Sequence, residues 1–96
     1  MNNLYQNLVQ KWEINVEGVN KPQDEHEIEK CLSNKISQLL VSDMPKLVNS
    51  LYQLDVDEKK VYTIMKQESK THVADQLSKL IISRETDKFL SRKNNP

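Results

Sequence analysis

Ninety-six residues hold one domain and no more, and with 36% hydrophobic and 29% charged side chains the core they can build is small. One glycine and three prolines are too few breakers for an all-β sandwich and leave no glycine-rich loop for a nucleotide phosphate, so the expectation is an all-α fold. Fourteen basic and fourteen acidic side chains cancel, and no global field draws the chain to nucleic acid or to an anionic membrane surface.

Leu4, Tyr5, Leu8, Val9 and Trp12 recur at spacings of three and four, one face of a short helix. Trp12, Ile14 and Val16 then alternate with Glu13 and Asn15. That pattern predicts an extended arm, which must pair with something because a lone strand leaves its backbone groups unsatisfied. Gly18 and the run NKPQ mark a loop. The second helix opens at Pro22 to Asp24, with Asp24, Glu25 and Glu27 where the helix dipole favours negative charge. Its stripe is Ile28, Leu32, Ile36, Leu39 and Leu40, with Cys31 as a small apolar filler. Pro45 disfavours helical geometry at Met44, so a third helix starts there under a Ser42 or Asp43 cap. It is predicted to bury Leu47, Val48, Leu51 and Tyr52 and to end at Leu54. The run DVDE reads as a capping box, Asp55 with Glu58, opening a fourth helix whose inner face is Val56, Val61, Ile64 and Met65. Thr71 caps a fifth helix lined by Val73, Ala74, Leu77, Leu80 and Ile81; past Arg84 the stripe breaks up, leaving Ile82, Phe89 and Leu90 on a drifting line. The prediction is an all-α bundle of four to five helices with a short N-terminal helix and extended arm. Residues 1–20 form that arm, 21–93 the bundle and 94–96 a disordered tail.

The tight corner at residues 49–68 invites comparison with a DNA-binding helix-turn-helix. Leu54, Val56, Val61 and Ile64 fall where such units place their core. The corner, however, wants a glycine able to adopt positive φ and has Asp55, the position usually held by alanine is Leu51, and Asp57 and Glu58 would face phosphates. DVDEKKVYTIMK begins like a calcium loop but places Lys59, Lys60 and Lys66 where the loop needs an oxygen ligand, a glycine and a glutamate. His26 and Glu29, like Glu27 and Cys31, share a helical face, yet His72 is the only other histidine and no zinc site assembles. No catalytic residue, metal or cofactor is assigned. One cysteine excludes an internal disulfide, and no run of about 18 apolar residues predicts a membrane span. Without a charged and then apolar leader pattern, the expectation is a cytoplasmic protein.

LYQLDVDEKKV, followed by VADQLSKLIISRETDKFLSRK, resembles the shared segments of a group of short bacterial helical proteins, over about residues 26–93. Gln53 stands where members of that group often carry arginine. The resemblance implies the helical fold and the cytoplasm, and no activity. Function then points to protein–protein contact through the apolar residues of the two ends: Tyr5, Leu8, Trp12, Ile14, Phe89 and Leu90. Left exposed, the N-terminal set would make a patch larger than soluble monomers tolerate, so the expected partner is a second copy in a homodimer, or another protein.

Overall fold

The computed structural model describes the backbone of residues 3–14 and 25–94, with side chains over 7–14 and 26–91. Its helices are α1 (Asn3–Lys11), α2 (Glu25–Ser42), α3 (Met44–Leu54), α4 (Glu58–Met65) and α5 (Lys70–Asn94). No strand occurs among the described residues, and the all-α bundle is as expected. The molecule measures 39 × 34 × 19 Å, its thin dimension that of two layers of helices at about 10 Å each.

α5 runs through the middle. α1, α2, α3 and α4 all pack on it, α2 most extensively; α1 and α3 also touch α2, while α4 packs on no helix but α5. At about 100° per residue, the buried positions of α5 cover an arc of roughly 180°, from Val73 through Leu77, Ile81 and Ala74 to Ile82. That width explains why no narrow stripe continues past Arg84 although the helix does. Two polar side chains fall inside the arc. Ser78 donates to the Ala74 carbonyl (2.8 Å), and the Glu85 carboxylate lies 3.3 Å from the Lys11 ammonium, tying α1 to α5. Ser33 on α2 donates to Asp75 on α5.

The predicted strand at Trp12 is a helix end instead. Trp12 N–H donates to Leu8 O (3.0 Å), Glu13 N–H to Gln10 O (3.3 Å) and Ile14 N–H to Val9 O (3.0 Å), with Glu13 at φ 52°. This is a Schellman closure, in which one left-handed residue turns the chain so that the next apolar side chain falls back on the helix. Trp12 and Ile14 thus both point inward, which from sequence alone mimics alternation. The rest of the predicted arm, residues 15–20, and the helix start at Pro22 to Asp24 lie outside the described residues. Asn94, placed in the tail by the sequence, is the last residue of α5.

Two caps also differ from expectation. Asp55 does not cap α4; it closes α3 in the left-handed region (φ 63°, ψ 46°), its N–H donating to Tyr52 O. Asp57 is the cap of α4, accepting from Lys59 N–H at 2.9 Å. Ser69, not Thr71, caps α5, its Oγ accepting from His72 N–H at 3.3 Å. Of the two cap candidates for α3, Asp43 is the cap, accepting from Lys46 N–H, and Ser42 is the last residue of α2.

These assignments separate in a denaturation series. Asp57→Ala lowers the melting temperature by several degrees, the effect of losing a cap of about 1 kcal/mol, and Asp55→Ala does likewise by forcing alanine to positive φ. Asp55→Gly leaves the melting temperature unchanged or raises it, an outcome opposite to that of a lost N-cap. Trp12, 3% exposed, is core, so Trp12→Ala destabilises the single chain by about 3–5 kcal/mol in urea titration; an unchanged midpoint would return it to the surface.

Candidate functional site

Met44, Leu47, Val48, Leu51, Tyr52 and Leu54 give α3 an apolar arc of about 160°, but its buried residues, Leu47, Leu51 and Leu54, span only about 60°. Val48 and Tyr52, predicted to face the core, stand in solvent at 50% and 75% exposure. The cause lies in the link to α4. Asp55 turns the chain, Val56 buries itself beneath the corner, and Asp57 starts the next helix. From α5, Arg84 Nε–H donates to the Asp55 carbonyl (3.1 Å) and an Arg84 Nη lies 3.5 Å from Asp55 Oδ2. The corner is therefore pinned to α5, and α4 lies along α5 without its backbone approaching that of α3.

What this leaves is an open cleft of about 960 Å³, walled by α3 and α4 and floored by Leu80, Ser83, Arg84 and Asp87 of α5. Met44, Val48 and Tyr52 line one wall, and Val61, Tyr62 and Met65 the other. Tyr62 is 64% exposed, with the Lys66 ammonium 4.6 Å from its ring centroid. Asp57, Glu58, Lys59 and Lys60 mix both signs on the α4 lip. The α3 wall is nearly chargeless. Its one charged side chain, Lys46, lies 3.0 Å from Glu13 Oε1, and that hydrogen bond, with the charges of Lys46 and Lys35, holds the Glu13 carboxyl below its ordinary pKa. A smaller hollow of about 440 Å³ borders Asn7, Gln10, Lys11, Glu85 and Lys88, with Lys11 already beside the buried carboxylate.

The residues singled out from sequence are not brought together here. Leu8, Trp12 and Ile14 are buried in the chain's own core, packed through α1 on α2 and α5, so the exposed N-terminal patch on which the dimer expectation rested does not exist among them. The Trp12 indole N–H finds no hydrogen-bond partner among the described residues. Phe89 is half-buried and Leu90 48% exposed near the far end of α5; the Tyr5 side chain lies outside the described residues. Missed altogether was the α3 wall, although its excess of apolar width over one buried face was a readable signal. Among the described residues no three potential metal ligands cluster, and no helix is long and apolar enough to cross a membrane. No protein-family model matches the chain, and comparison with curated proteins and with solved structures finds no match.

The neutralisation of α3 can be measured. The folded-state pKa of Glu13 lies below the ordinary value, so its stabilising contribution is complete above that value and is lost as pH falls through the folded pKa. In a carboxyl-detected NMR titration Glu13 titrates low in the native protein and returns toward its ordinary value in Lys46→Met.

Proposed function

We propose that this chain is a non-enzymatic protein-binding module that works through the α3–α4 cleft. The observation that carries this reading is the exposure of Val48, Tyr52 and Tyr62 around one cleft, next to a helix wall without free charge. Apolar patches with polar rims mark interaction sites, and tyrosines are among the residues on which binding energy concentrates. The partner is a second copy of the chain or another protein. A setting in the bacterial cytoplasm is proposed with it, supported by the resemblance of residues 26–93 and by the free Cys31, which suits a reducing compartment.

A nucleic-acid-binding reading has one observation in its favour. Asp55 takes the positive φ that a helix-turn-helix corner requires, and Lys59, Tyr62 and Thr63 on α4 and Lys66 at its C-cap are exposed. Such units pack their two helices closely on each other, however, and the backbones of α3 and α4 stay apart. The opening carboxylates Asp57 and Glu58 further disfavour phosphate.

Affinity capture with native and Val48→Glu baits, together with duplex titration, tests the choice. The native bait retains a protein, foreign or an untagged copy of itself, that Val48→Glu loses, and duplex DNA binds no tighter than about 10 µM at physiological salt. Sub-micromolar, salt-sensitive DNA binding that weakens in Lys59→Ala or Lys66→Ala would reverse it.

A further inference from the structure

We infer that the face of α3 is covered by a second copy of this chain, with the two α3 helices antiparallel about a two-fold axis at Val48. The inference rests on the protein-binding reading above and adds the occupant and its register.

Its first support is spacing. Met44 and Tyr52 stand four residues to either side of Val48, forming a single i±4 ridge. Two such ridges interdigitate at a crossing of about 50°, the commonest way helices pack. A two-fold axis at the central residue sets Val48 against Val48 and each Met44 against the partner copy's tyrosine, a favourable thioether–aromatic contact.

The second support is charge. A two-fold axis brings groups near it against their own kind, which is costly where they are ionic. α3 has one charged side chain, Lys46, and Glu13 of the same chain already holds it at 3.0 Å. The wall is thus electrostatically compatible with itself.

Area is the third. At about 200 Å² for an aromatic side chain, Tyr52 and Tyr62 alone expose roughly 280 Å². Met44 and Val48, exposed by 40% and 50%, enlarge the patch toward the roughly 800 Å² that each partner contributes to a stable interface.

Sedimentation equilibrium and cysteine cross-linking decide the matter. The full chain sediments as a dimer at about 100 µM, and Val48→Glu, with unchanged helical circular dichroism, weakens association at least about 100-fold. In a Cys31→Ser background, oxidation with copper phenanthroline cross-links Val48→Cys to itself. Met44→Cys alone does not cross-link, because its mates stand about 12 Å apart along the paired helices at 1.5 Å per residue, whereas an equimolar mixture of Met44→Cys and Tyr52→Cys does. Cross-linking of Met44→Cys to itself would overturn the antiparallel register. A native chain that stays monomeric at this concentration overturns the second copy. If Val48→Glu still loses a foreign protein in the capture experiment, that monomer leaves the protein-binding reading standing; if it loses nothing, both fall. Should Val48→Glu fail to fold, the cysteine pairs carry the test, since each replaces a side chain that is at least 40% exposed.

Discussion

A helix of twenty-five residues that buries about half of its circumference needs several neighbours, and α1 to α4 are what pack on α5. The polar groups within that buried arc show how tightly the arrangement is specified. Ser78 satisfies itself on its own helix, while Glu85 recruits Lys11 from α1. Asp75, on the edge of the arc, accepts from Ser33 of α2, and Arg84 reaches the corner between α3 and α4. Three of these four polar contacts tie α5 to a different part of the chain. An apolar core tolerates many arrangements of similar volume, whereas ionic and hydrogen-bonded groups fix which neighbour lies where.

The cleft follows from the same arrangement. α3 and α4 each need a place on α5, and a three-residue link pinned by Arg84 cannot lay them side by side as well. α4 settles along α5 with none of its residues fully buried, and α3 keeps a wide apolar arc of which only part is covered. The proposed binding surface is in this sense what remains when four helices share one central element. It is a property of packing and not of any motif, which accords with the absence of a recognisable chemical signature in the sequence.

Legibility varied with how local the deciding interaction was. The α2 stripe of Ile28, Leu32, Ile36 and Leu39 was readable because one helix buries one face. Asp43 was readable as a cap because Pro45 announces the helix start two residues later. Asp55 and Asp57 compete for one role, and the choice depends on which of them takes positive φ; that residue is Asp55, whose carbonyl accepts from Arg84 twenty-nine residues away. Trp12 and Ile14 were misread because a left-handed residue between two inward side chains gives the same pattern as a pleat. Val48 and Tyr52 were misread for a tertiary reason: periodicity reports which residues are apolar, not which of them find a neighbour. Nothing within α3 says that α4 will turn away.

The central position of α5 also bears on the order in which the chain comes off the ribosome. Residues 3–54 contain only the modest packing of α1 and α3 on α2, and α4 touches no helix but α5. During synthesis much of the apolar surface of these four helices therefore waits for residues 70–94 to be made. Folding is then expected to be a concerted event that waits for α5. A truncation within α5 would accordingly abolish the whole fold, where loss of the short α4 would strip only one side of it.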